Sequence, residues 1–330
     1  MKLVLKFATG GIAAALACGA AQAETLPVAG IYAAETDAPS RARSIALDSF
    51  DGRWGERVAF AIDDALRGAV IEGRPYFAVT YAGPNSGGGS FRYDRDADPN
   101  AARGGADAVM RGIADIDVRN EPDGTKDVEE CAKRDDRDKC IEKQTVTYPC
   151  RLRTVELRPE VRLVARDGDL LYAKGDTLIA SQRFCEDEDR PPAIEDVVKD
   201  LAYGFAAGVR TDLAPTYREE AFRILESRDG IAKADHNAFR AAVRLTKSDP
   251  DGACRAFAAL EPSYPRDVSI LFNLGLCHES KGELEDAVQQ YEIVLGIKPG
   301  KIEAEDGLRR IASRQRAQQQ LSIHDGADAR

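Results

Sequence analysis

Seven cysteines, three histidines and one glycine-rich stretch are the residues of this 330-residue chain whose types could do chemistry. Zinc sites need close cysteine pairs or grouped histidines, and His236, His278 and His324 are scattered. His278 reads as a core or half-buried residue; His236 and His324 read as surface residues. The stretch Gly83–Ser90, GPNSGGGS, lacks the following helix and lysine of a phosphate loop and reads as a flexible surface loop. Asp94, Asp96 and Asp98 begin like a calcium loop, but Pro99 stands at the turn glycine and Gly105 at the closing glutamate. GxSxG, SxxK, HExxH and P-loop motifs do not occur, so the reading is of a non-enzymatic protein with no cofactor and no metal.

The cysteines take their meaning from the first 23 residues. Lys2 and Lys6, an apolar run from Phe7 to Ala21, and Ala21-Gln22-Ala23 before Glu24 form the pattern of a secretory signal peptide (residues 1–23). Cleavage after Ala23 would give a periplasmic protein. The alternative is an outer-membrane lipoprotein anchored through Cys18, with Ala15-Leu16-Ala17 before it. No later stretch approaches the roughly 20 apolar residues of a spanning helix, so the mature chain is read as having no transmembrane span. Net charge is −10, and −12 without Lys2 and Lys6, which gives no basic footprint for nucleic acid.

Six cysteines remain in the exported chain, an even number that suits disulfides in an oxidising compartment. Cys131 and Cys140 lie nine residues apart in a run, 120–143, that holds nine acidic and six basic residues. That run reads as a solvated insertion (about 120–150) containing a small disulfide-closed loop. Cys150 and Cys185 flank a predicted hairpin. Val155, Leu157, Val161, Leu163 and Ala165 alternate with polar residues, Asp167-Gly168 makes a two-residue turn, and Asp169–Phe184 returns. Opposed positions in that hairpin sum to 335, as for Val164 with Leu171 and Leu163 with Tyr172, and Cys150 with Cys185 does too. Directly opposed residues have the Cβ separation a bridge requires, while Pro159 raises the alternative of a bulge that shifts the register.

The elements that position these residues fall into two textures. Residues 24–215 read as an α+β or α/β domain, a mixed sheet with flanking helices and a long hairpin. Arg43–Phe50 is a strand, and Trp54, Val58, Ile62 and Leu66 make the apolar stripe of a helix. Tyr76–Tyr81 and Gly104–Val118 are further strands, and a helix over about 194–213 carries Val197, Val198, Leu201, Phe205, Val209 and Leu213 on one side. Residues 216–320 read as helical throughout, and 321–330 as a disordered tail. In the helical part, Asp249-Pro250 is an N-cap with proline at the first helical position. Cys254 and Cys277 lie 11 and 12 residues either side of Pro265, at one height of two antiparallel helices, which predicts a bridge between them.

Two resemblances follow from these residues. SIALDSF, PYFAVTY, GADAVMRG with Asp107 and Gly112, VRLVARDGDLLY and LAYGFAAGVRTDLAP, in that order, resemble the curli-secretion-channel and penicillin-binding-protein-activator type of envelope domain. That resemblance implies a small α/β domain that binds other envelope proteins or itself. The sequence departs from it in the cysteine-bearing insertion and in offering no long alternating segments for channel strands. Leu274, Gly275, Gly282, Ala287, Tyr291 and Pro299 resemble the tetratricopeptide pattern, with Ala253, Phe257 and Pro265 at matching places about 34 residues earlier. That resemblance implies a concave face for a protein or peptide partner, lined by Phe272, Asn273, Leu276 and Glu279. The reading is therefore an exported protein-binding or assembly factor of the bacterial cell envelope, a scaffold with an envelope protein or peptide as partner or with self-association. The alternatives are a subunit of an oligomeric secretion complex and an unrecognised periplasmic hydrolase.

Overall fold

A computed structural model describes residues 24–81, 105–188 and 191–326. The signal segment with Cys18, the Gly83–Ser90 loop, the Asp94, Asp96 and Asp98 series and residues 327–330 lie outside the described residues. Where the sequence suggests one boundary near Pro215, the chain divides into two compact units by different cuts. One holds the chain up to Ala29 with Glu219–Arg309; the other holds Gly30–Arg218 with Arg310 onward. The first strand, β1 (Thr25–Tyr32), pairs with β10 (Thr216–Arg223) in a two-stranded sheet.

The second unit is a mixed sheet with helices against it. In it β2 (Ser44–Asp51) is followed by helix α1 (Gly55–Arg67), a short hairpin of β3 (Val70–Ile71) and β4 (Arg74–Pro75), and then β5 (Ala78–Tyr81). The long strands β6 (Ala108–Arg134) and β7 (Cys140–Ala165) come next, then β8 (Leu170–Gly175), β9 (Leu178–Cys185) and helix α2 (Ile194–Leu213). The strand order is β5-β2-β6-β7-β8, with β9 also on β7. β2 runs parallel to both of its neighbours, and β7 is antiparallel to β6, β8 and β9.

Side-chain periodicity explains this arrangement. β2 is central, so it buries both faces: Ile45 and Leu47 enter the main core, and Ala46 packs with Ala106 and Val109 in a separate cluster. The stripe of α1 is buried as its spacing predicts, with Val58, Ile62 and Leu66 fully inside and Trp54 nearly so. Val198, Phe205, Val209 and Leu213 of α2 join the same core, as do Val155, Leu157, Val161 and Leu163 of β7. Gly112 permits this packing, because a Cβ there would lie 2.6 Å from the Phe50 ring and 2.7 Å from the Glu160 carbonyl oxygen.

The hairpin departs from expectation in one place. Leu163 pairs with Tyr172, but Val164 pairs with Leu170 rather than Leu171, because a bulge shifts the register beside the turn. At Pro159 the return strand breaks into β8 and β9, and the Asp176 N–H donates to the Pro159 carbonyl at 3.1 Å. The register nevertheless resumes beyond the break, so Leu157 opposes Leu178 and Cys150 opposes Cys185.

The other unit contains helices α3 (His236–Leu245), α4 (Pro250–Leu260), α5 (Val268–Lys281) and α6 (Leu284–Ile297), with the start of α7 (Ile302–Gly326). Asp249 caps α4 by accepting from the Gly252 N–H, and Asp267 caps α5 through the Ile270 N–H. Gly282, at φ 80°, ends α5 in the left-handed conformation that glycine adopts freely. The Tyr291 ring lies between two glycines: a Cβ on Gly275 or Gly307 would come within 2.5 or 2.4 Å of its atoms.

Three expectations about this part of the chain are corrected. Thr216–Arg223 is a strand, not helix, because this largely exposed run pairs its backbone with β1. The segment 321–326, expected as tail, is the end of α7. His324, expected at the surface, is 8% exposed. Its ring stacks on Tyr76 with centroids 3.9 Å apart, and Nε2 lies 2.7 Å from the Tyr76 carbonyl oxygen.

Candidate functional site

The four residues expected to line a partner groove are interior in the folded chain. Phe272 is 2% exposed, and Asn273, Leu276 and Glu279 are 0% exposed. The Asn273 side chain accepts from the Leu225 N–H at 2.8 Å and donates to the Leu225 carbonyl at 2.9 Å. The segment after β10 is thus held on the Asn273 side of α5. Glu279 accepts from the Tyr291 hydroxyl at 2.8 Å and Phe272 packs against the Tyr291 ring. These residues serve the fold, which corrects the groove expectation. The signal available in sequence was Asn273 itself, since a buried amide requires partners and its two bonding groups match one residue of extended backbone.

The six cysteines form three disulfides, paired as their spacing predicts: Cys131–Cys140, Cys150–Cys185 and Cys254–Cys277. Cys254 and Cys277 join α4 to α5 with Cα atoms 5.6 Å apart. Cys150 and Cys185 are directly opposed on β7 and β9. They mark the root of a feature that sequence reading missed.

The charged run 120–143, solvated as expected, is the outer part of a β-hairpin. Strands β6 and β7, 27 and 26 residues long, stay paired as far as Arg134 and Cys140. Beyond Cys150 the hairpin is two-stranded, and at about 3.4 Å per residue it reaches roughly 30 Å further to its turn. Alternation over this arm was hidden because charged residues fall on both faces. Lys126, Val128 and Glu130 with Gln144, Val146 and Tyr148 share one face, and Asp127, Glu129, Lys143, Thr145 and Thr147 the other. Every residue from Arg119 to Pro149 is exposed or half-buried.

Polar contacts brace the arm. Lys126 reaches Asp187 and Glu188, each at 2.8 Å, and Arg183 reaches Asp123 at 2.9 Å. Glu129 and Lys143 pair across the strands at 3.0 Å, and Thr147 donates to Asp127 at 2.6 Å. The hydrogen bond from Tyr148 to Glu130 raises the phenol's pKa. At the base, the nearly buried Glu156 carboxylate takes Arg158 at 2.6 Å and Arg119 at 3.2 Å.

Asp107 of the GAD sequence has a positioning role at the start of β6. Its carboxylate accepts from the Arg43 and Ser44 N–H groups at 3.0 and 2.9 Å and from the Ser44 hydroxyl at 2.9 Å. Burial works to raise its pKa, but the bonds from Ser44 and Arg43 with the charge of Arg166 outweigh it, and the net shift is downward. Asp107 also lines a cleft of about 410 Å³ with Arg41, Ala42, Ala165, Arg166, Asp167 and Leu171.

Two groups of metal-type donors occur among the described residues. In the first, the Cys185 sulfur is committed to Cys150, and Asp187 and Glu188 are both engaged by Lys126. In the second, His278 Nδ1 lies 2.7 Å from Glu283, with Asp286 nearby at the α5–α6 turn. His278 is half-buried and His236 places Nε2 2.9 Å from the Ile231 carbonyl oxygen, so the three histidines have separate structural settings.

No protein-family model and no curated protein sequence matches this chain. Among the described residues no helix is long and apolar enough to cross a membrane.

Proposed function

We propose that this chain is an exported protein-docking or assembly factor of the bacterial cell envelope, and that its docking element is the β6–β7 arm. The observation that carries this reading is that the outer arm buries no core yet is tightly specified. An isolated two-stranded hairpin is marginal in water, and exposed ion pairs add little to its stability. Here a disulfide joins β6 to β7 at the tip, another ties β7 to β9 at the root, and the long ladder fixes the register. An element that returns so little stability to the fold is best understood as a surface for another macromolecule. The resemblance to envelope domains that act by binding other proteins supports the same reading.

The arm's strands are long enough to cross a bilayer, which takes about 9–11 tilted residues. As a lipid-facing element, however, one face would place Lys126 and Glu130 in hydrocarbon and the other Asp127, Glu129 and Lys143. Charge on both faces favours an aqueous protein partner over a channel strand.

The test is site-specific photo-crosslinking in the native envelope from Val128 and Val146, with Phe60 on α1 as a control position. Adducts to a defined protein from the arm positions alone are expected. Equal labelling from Phe60, or none from the arm, would refute the proposal.

A further inference from the structure

The three disulfides differ in what can reach them. Cys150, Cys185, Cys254 and Cys277 are 2, 3, 4 and 2% exposed. Cys131 and Cys140 stand at the arm's tip, where neither is buried and the residues on either side are exposed or half-buried. Exchange requires a thiolate to approach a sulfur along the S–S axis, so access decides which bridge can react.

The ladder is least regular at the tip, with register shifts between Cys131 and Lys133 and between Lys133 and Arg134. The turn beyond them has its own bonds, since Asp135 accepts from the Arg137 and Lys139 N–H groups, each at 2.9 Å.

We infer that the Cys131–Cys140 pair is a thiol–disulfide exchange site, open to a dithiol reductant in the folded protein while the other two bridges are closed to it. A thiolate of the dithiol bonds to one cysteine sulfur, the S–S bond breaks, and the other cysteine leaves with the electron pair. The reductant's second thiolate then attacks the mixed disulfide, closes its own ring and frees the first cysteine. Two electrons pass from the dithiol to the cysteines, and two protons complete their thiols. Reduction removes the only covalent tie across the tip while the turn and the arm's root stay closed. This inference is independent of whether the arm docks a protein.

Full-length oxidised protein is treated with dithiothreitol under native conditions, quenched with an alkylating agent and mapped by peptide mass spectrometry. Cys131 and Cys140 are expected to label at least tenfold faster than the other four cysteines, with faster amide exchange confined to the tip. Joint reduction of all three bridges, or earlier reduction of either buried bridge, overturns the inference. A Cys131→Ser/Cys140→Ser variant should keep the native melting profile and lose the fast labelling phase. Persistence of that phase would place the reactive bridge elsewhere and equally overturn it.

Discussion

At Tyr291 a single side chain shows how the helical unit specifies its packing. Its ring fills a slot walled by Gly275 and Gly307, and its hydroxyl donates to Glu279, which is itself fully buried. A Cβ at either glycine would need space the ring occupies, and the ring cannot retreat from one without striking the other. Gly275→Ala should therefore destabilise the fold by about 1–3 kcal/mol, the usual cost of overpacking. Urea unfolding followed by circular dichroism would measure it; an unchanged midpoint would show that the slot yields. Gly275 and Tyr291 were both singled out in the sequence by their spacing, and the slot supplies a physical reason for the pair. Gly307 carried no such signal, because the second wall comes from a helix whose approach no local pattern announces.

Among the elements, α4 and α5 are joined by a bridge between residues 23 apart in sequence. In the loop-entropy account a closure of that length contributes roughly 3 kcal/mol, chiefly by limiting the unfolded chain. A Cys254→Ser/Cys277→Ser variant should lose about that much in equilibrium unfolding, and loss well under 1 kcal/mol would mean that the helices hold their pairing unaided. This bridge was legible in sequence because two antiparallel helices around a known turn fix which positions share a height. The Cys150–Cys185 pairing was legible for a related reason, since hairpin register propagates from the turn. It survived a bulge at Val164 and a break at Pro159 because the resumed strand keeps the same register against β7. The arm was not legible: period-two alternation is visible only when one face is apolar, and here both faces carry charge.

For the molecule as a whole, pH should read out how the end of α7 is held in its unit. Burial lowers the pKa of His324 in spite of the Tyr76 and Ser40 carbonyls. A depressed folded value means that the unfolded chain binds a proton first as pH falls below its ordinary value of about 6.5. The stability tied to neutral His324 is therefore complete above about pH 6.5 and lost as pH falls toward the folded value. Asp107, with its lowered pKa, adds a second loss only in the acid range below its ordinary value. Melting temperature should fall between about pH 7 and 5 in the native protein, and less steeply in a His324→Phe variant that keeps the ring stacked on Tyr76. Parallel slopes in the two proteins would remove His324 from the account.

Sequence alone determined the apolar stripes, the Asp249 cap, the central hairpin and all three disulfide pairings. Each depends on neighbours within one helix face, one turn or one ladder, where covalent spacing dictates geometry. Tertiary structure decided which of those surfaces remain open. It covered Phe272, Asn273, Leu276 and Glu279, buried His324, drew Thr216–Arg223 into a strand beside β1, and extended 120–143 into an arm. Exposure is set by segments distant in sequence that compete for the same apolar face or backbone edge, and no local period records the outcome of that competition. The cysteines show both halves: spacing chose their partners, and the fold left one pair open to solvent.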